Sequence, residues 1–144
     1  MSGPRAYFDT SILVKRYVNE EGSFRARRLM RDCQCVSSEV MPLETLSAIS
    51  RRRSLGEITE PAFAAISSLL KTERTRWELV AVDNSVLNKA EEVIRNSAIK
   101  ALDAIHIASA LLFQANLGTR IPFVSADARQ LNAASAFGLR IERS

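Results

Sequence analysis

Hydrophobic positions along the chain follow two rhythms, and their alternation predicts the fold. Short apolar runs at Ala6-Tyr7-Phe8, Cys35-Val36, Leu79-Val80-Ala81-Val82, Pro122-Phe123-Val124 and Leu139-Arg140-Ile141 have the length and residue types of strands. Between them, apolar residues recur at helical spacing, which predicts helices near 11–18, 23–32, 40–54, 60–77, 84–97, 103–116 and 127–137. This order implies an α/β chain in which a mostly parallel sheet of about five strands lies between helix layers. The helices at 40–54 and 60–77 follow one another with no strand between them, so they form a helical hairpin arm at one side of the sheet. Such an arm suits dimerisation or partner binding.

Local punctuation agrees with these boundaries. Gly56 follows Arg51-Arg52-Arg53-Ser54 as a helix C-cap does, Thr59 caps the next helix with Pro61 in its first turn, and Gly118 and Gly138 end later helices. No repeat, linker or low-complexity tract interrupts residues 1–144, which read as a single domain.

Composition narrows the class. With 47% hydrophobic and 25% charged residues, the chain has the makings of a packed core rather than of disorder. Met1-Ser2-Gly3-Pro4 passes directly into the first apolar run, without the charged and cleavable hydrophobic regions of an export signal. The longest apolar stretch, Ala101 to Phe113, contains Asp103 and His106 and is shorter than the roughly 20 residues a bilayer span needs. No membrane contact and a cytoplasmic address are expected. Cys33 and Cys35 suit a reducing compartment, and with one histidine in the chain they fall short of the about four ligands of a zinc site. Core packing of at least one thiol is expected instead.

The formal charge is +4, and 16 of the 20 basic residues are arginine. Guanidinium groups grip phosphate oxygens in pairs and stack on unpaired bases, so this bias supports a nucleic-acid partner without establishing one.

Aspartate is scarce, and its placement is informative. Asp9, Asp83 and Asp127 each follow an apolar strand, and parallel strands put all three on one edge of the sheet. In open α/β sheets that carboxyl edge is where ligands bind. Each also fits a helix N-cap, whose carboxylate accepts from free backbone N–H groups. For Asp83, followed by Asn84-Ser85-Val86-Leu87, capping is the preferred role. Asp103 stands in an apolar, small-residue helix with Ile107 and Ala110 four and seven positions on. A carboxylate there is costly unless it is paired or bound to metal. Lys100 and His106 are its available structural partners. Glu44 is similar: Val40, Met41, Ser47 and Ala48, three and four positions away, carry no charge. Glu39 is read as complementing a helix N-terminus, and His106 as a hydrogen-bonded packing residue rather than a general base.

Four carboxylates brought together repel one another, and a divalent cation removes that cost. An all-oxygen donor set favours Mg²⁺ or Mn²⁺ over zinc. An acidic pocket on a basic protein suits a phosphodiester, which would be hydrolysed by an activated water with one or two ions bound.

These residues resemble the PIN-domain family, and within it the VapC-type toxins of prokaryotic toxin–antitoxin pairs. The resemblance spans nearly the whole chain. It is carried by Tyr7-Phe8-Asp9-Thr10-Ser11 with Leu13, by Leu102-Asp103-Ala104-Ile105-His106-Ile107-Ala108-Ser109-Ala110, and by Phe123-Val124-Ser125-Ala126-Asp127, with Glu44 ahead of Ser50-Arg51-Arg52-Arg53. It implies a PIN-like three-layer α/β/α sandwich, with metal bound by Asp9 and Asp103 and the acidic pocket completed by Glu44 and Asp127. Thr10, Ser11 and Ser125 would donate hydrogen bonds behind those carboxylates. It further implies Mg²⁺- or Mn²⁺-dependent endoribonuclease activity on an RNA substrate, a homodimer, and an antitoxin protein whose tail blocks the pocket.

Two other readings compete. An aspartate-based phosphohydrolase would use Asp9 as a covalent nucleophile, but it wants a second Asp two positions on, where Ser11 stands. A non-catalytic RNA-binding or receiver-like module would use the same edge for docking, and it leaves Glu44 and Asp103 without a purpose.

Overall fold

In a computed structural model that describes residues 3–144, the strands are β1 (Arg5–Phe8), β2 (Gln34–Ser38), β3 (Glu78–Val80), β4 (Pro122–Ser125) and β5 (Arg140–Arg143). They form one sheet in the order β3-β2-β1-β4-β5, and every pairing is parallel. The expected "mostly parallel" sheet is thus wholly parallel among the described residues. From β1 the chain builds outward through β2 to β3, then returns to place β4 on the other flank of β1. The gap between β1 and β4 is therefore the topological switch point, where an open α/β sheet leaves a crevice at its carboxyl edge.

The helices are α1 (Thr10–Tyr17), α2 (Ser23–Asp32), α3 (Met41–Ser54), α4 (Glu60–Glu73), α5 (Asn84–Asn96), α6 (Ala101–Leu117) and α7 (Ala128–Ala136), with a short 3₁₀ turn at Arg74–Arg76 after α4. That turn ends the predicted 60–77 helix early. β3 begins one residue before its predicted run and stops at Val80, so Asp83 stands three residues beyond the strand rather than closing it.

Strand alternation sorts the core into two layers. Tyr7 and Phe123 face one side, where they pack with Val86, Ala90 and Val93 of α5, Ala104 and Ile107 of α6, and Leu131 of α7. Ala6, Phe8 and Val124 face the other, against Ile12 and Leu13 of α1, Ala26 and Met30 of α2, and Cys35. The buried Cys35 is the packed thiol the composition anticipates, and burial pushes its pKa up. This is the three-layer sandwich expected.

α3 and α4 form the predicted hairpin. At its turn the N–H groups of Gly56 and Glu57 return to the carbonyls of Arg53 and Arg52, and Gly56 takes the left-handed conformation (φ 76°) that closes such a cap. The arm is fastened to the body where Arg16 and Tyr17, ending α1, hydrogen-bond Glu73, ending α4. Among the described residues no single helix is long and apolar enough to cross a membrane; α5 and α6 together qualify only as a pair bent by 118°.

Candidate active site

Asp9 leaves β1 at the switch point and is buried. Its Oδ1 accepts from the Ser11 backbone N–H at 3.1 Å and the Ser11 hydroxyl at 2.5 Å, and its Oδ2 accepts from the Ser125 hydroxyl at 2.6 Å. Asp9 is thus the N-cap of α1 while facing the crevice. Ser125, ending β4, also accepts from the Asp127 backbone N–H at 3.0 Å, and Ser11 accepts from the Ala126 N–H at 2.9 Å. Two serines therefore lace β1 to β4 and fix Asp127 relative to Asp9.

Asp127 caps α7 by accepting from the Arg129 N–H at 2.9 Å. Asp103 lies in the first turn of α6, whose start is held to α7 by the Gln130 side chain donating to the Asp103 carbonyl at 3.0 Å. Glu44, in the first turn of α3, accepts from the Thr10 hydroxyl at 2.9 Å and lies 2.8 Å from His106 Nε2. His106 Nδ1 in turn lies 2.8 Å from the hydroxyl of the buried Tyr7.

The electrostatics tie these groups together. Burial pushes the Asp9 carboxyl above its ordinary 3.8, offset by His106, Ser11 and Ser125 and reinforced by the charge of Asp103. Asp103 is also raised, first by partial burial, then by the charge of Asp127, with Glu44 adding to the effect while His106 and Lys100 oppose it. Asp103 is the hub, since it feels all three of the other acids. Among the described residues no three His, Cys, Asp or Glu side chains stand close enough to form a metal cage as placed. The four acids offer oxygen donors only, the donor type that hard divalent cations prefer.

Two grooves flank the acids. One of about 450 Å³ is lined by Ser11, Lys15, Arg51, Arg52 and Asp127 among others; one of about 500 Å³ is lined by Thr10, Glu44, Leu43, Arg51 and Leu102 among others.

The PIN domain family model matches residues 6–135. The chain belongs to the PIN-domain family. It is 32% identical over 116 residues to Ribonuclease VapC45 and to Ribonuclease VapC49, from two strains of Mycobacterium tuberculosis, covering 75% of this chain and 76% of each relative. PIN-domain nucleases are hydrolases acting on RNA and are generally divalent-metal dependent, so the expected enzyme class is the one this family carries. Its fold is similar to a toxin–antitoxin complex from Klebsiella pneumoniae, with TM-score 0.63 at 12% identity over 88% of this chain and 89% of that one. It is similar also to VapBC2 from Rickettsia felis bound to a DNA fragment from their promoter, with TM-score 0.66 at 12% identity over 96% and 98%.

The sequence reading needs refinement at several residues. Ser11 and Ser125 do back Asp9, whereas Thr10 backs Glu44. His106 is a hydrogen-bonded buried residue as expected, but its partner is Glu44 and not Asp103. Glu44, whose helical neighbours carry no charge as the sequence shows, meets His106 of α6 instead, 62 residues away. Asp83 is a plain N-cap, accepting from the Val86 N–H at 3.0 Å. Glu39 accepts from the Val82 N–H at 2.5 Å, one residue ahead of the Asp83 cap of α5. Tyr7 escaped sequence reasoning because a tyrosine in a strand reads as core.

Proposed function

We propose that this chain is a divalent-metal-dependent endoribonuclease whose acidic centre is made by Asp9, Asp103, Asp127 and Glu44, with Mg²⁺ or Mn²⁺ as the ion. The observation that carries the reading is the placement of Asp9 and Asp127 at the switch point, laced together by Ser11 and Ser125, in a chain of the PIN-domain family. When bound, a divalent ion supplies neutralisation of the scissile phosphate and a water acidic enough to attack near neutral pH. The protein's part is positioning. Ser11 and Ser125 hold both oxygens of Asp9 in a fixed plane, the first turn of α7 holds Asp127, and the pair His106 and Tyr7 orients Glu44 from behind. With Asp9 and Ser125 buried, water is kept from the back of the centre.

The same reading makes the chain the toxin of a toxin–antitoxin pair, acting as a homodimer in the cytoplasm, with residues 1–144 as one domain and a partner antitoxin that covers the acidic edge. The names of its relatives and neighbours support the toxin and its antitoxin partner. The aspartate-phosphohydrolase reading is disfavoured because the position two residues after Asp9, where it wants a second Asp, holds Ser11, which donates to Asp9 instead.

The test compares wild type with Asp9→Asn and Asp103→Asn for Mg²⁺-dependent cleavage of RNA, alongside melting without metal. Cleavage lost with metal-free stability unchanged or raised supports the site. Full cleavage in both variants with a stability loss of about 1 kcal/mol or more assigns the acids to capping alone. Induced expression without the neighbouring antitoxin should arrest growth, and normal growth would remove the toxin assignment.

A further inference from the structure

Three consecutive arginines on α3 have three different fates. Arg52 donates to Glu20 at 2.9 Å and lies 3.7 Å from Glu57. Arg53 donates to Glu60 at 3.1 Å and to Ser50 at 3.1 Å, and its guanidinium lies 3.9 Å from the centre of the Phe63 ring. Arg51 is exposed, and its guanidinium makes no hydrogen bond or ion pair among the described residues. Yet it lines both grooves beside the acidic centre, the one containing Asp127 and the one containing Glu44. Lys15, the remaining basic residue of those grooves, lies 3.5 Å from Glu20 and donates to the Glu21 carbonyl. Of the three cations facing the grooves, Arg51 is thus the one whose charge no acid neutralises.

Its place on the helix follows from spacing. Glu44, Ala48 and Arg51 stand at i, i+4 and i+7, which is one face of an α-helix, with Arg51 about 10 Å along the axis from Glu44. Ala48 and Arg51 form the wall common to both grooves, and the small Ala48 side chain leaves the guanidinium room to reach into either. A polyanion approaching four carboxylates is repelled unless a cation meets it at the rim. A planar guanidinium without a competing carboxylate meets that need, because it binds two phosphate oxygens at once.

We infer that Arg51 grips a backbone phosphate beside the scissile one as single-stranded RNA crosses from one groove to the other. The inference rests on the ribonuclease reading for the nature of its ligand. Arg51 contributes to substrate hold and not to the chemical step, so its loss raises KM and leaves kcat alone.

The probe is a fluorescein-labelled single-stranded RNA oligonucleotide of mixed sequence. Binding is followed by anisotropy in EDTA across a salt series, for wild type, Arg51→Gln, Arg51→Lys and Arg53→Gln. Losing one phosphate contact on a single strand lowers the log–log salt slope by about 0.7, which weakens binding about fivefold at about 0.1 M salt. Arg51→Gln should show both changes with an unchanged Tm, and in Mg²⁺ its KM for the same RNA should rise by a similar factor. Arg51→Lys should keep the salt slope. Arg53→Gln changes net charge equally but lies off the grooves, so it should bind as wild type does. The inference is overturned if Arg51→Gln binds no more weakly than Arg53→Gln, if its salt slope equals that of wild type, or if kcat falls while KM stays. Failure of the nuclease reading is seen separately, as full cleavage by Asp103→Asn.

Discussion

Replacing Ser125 with Ala probes the acidic edge without altering an acid. The hydroxyl is fully buried, donates to Asp9 and accepts from the Asp127 backbone N–H. A hydrogen bond to a charged group contributes about 1.5–3 kcal/mol and a neutral one about 1 kcal/mol. Ser11 still serves the other oxygen of Asp9, so the loss stays at these two bonds. Ser125→Ala therefore costs about 3 kcal/mol near neutral pH, a fall in Tm of about 10 °C for a chain of this size. The pH dependence has a definite sign. Burial raises the folded-state pKa of Asp9 above 3.8, so on acidification the folded protein takes up that proton before the unfolded chain does. Below the folded-state value the bond from Ser125 meets a neutral carboxyl, and the cost shrinks toward that of a neutral hydrogen bond. Thermal melts of wild type, Ser125→Ala, Asp9→Asn and the double variant at about pH 7.5 and about pH 4 give the coupling directly, expected at about 1 kcal/mol or more at the higher pH. A loss below about 1 kcal/mol at about pH 7.5, or one of equal size at both pH values, refutes the assignment of that hydroxyl to a charged Asp9.

Other expectations follow from the same structure. Because the Asp103 carboxyl is raised, its ionisation costs the fold stability as pH climbs from 3.8 through the folded value. Without metal, Asp103→Asn should thus melt above wild type near neutral pH by a margin that disappears toward about pH 4, and Mg²⁺ should raise the Tm of wild type while leaving the variant unmoved. A margin that is independent of pH would contradict the raised carboxyl of Asp103. Asp83→Ala removes only a helix cap, so a denaturant melt should show a loss of about 1 kcal/mol while RNA cleavage continues at the wild-type rate.

What could be read from the residues was whatever depends on near neighbours. The order of strands and helices, the hairpin arm, the Gly56 turn and the carboxyl-edge placement of Asp9 and Asp127 all follow from periodicity and from residues a few positions apart. Pairings across long stretches of chain were hidden. His106 meets Glu44 and Tyr7 only once the chain is folded, 62 and 99 residues away in sequence, and no spacing rule links those positions. The three fates of Arg51, Arg52 and Arg53 were equally invisible, since Glu20 and Glu60 reach them through the folding of α4 and of the loop after α1. The end of β3 was misplaced because Ala81 and Val82 are apolar enough to extend a strand. In the sheet, the Val82 N–H instead turns to Glu39.

The sheet order has a consequence for how the protein comes into being. β1 occupies the middle of the sheet, yet its second neighbour, β4, lies more than a hundred residues downstream. At about 5–20 residues per second of synthesis, β1 waits for about 6–20 seconds with one flank unpaired. Throughout that interval Asp9 lacks the Ser125 hydroxyl and Asp127 does not yet exist. The acidic centre is therefore completed only when the segment carrying Ser125 and Asp127 emerges from the ribosome, and shorter nascent fragments carry Asp9 without that partner strand.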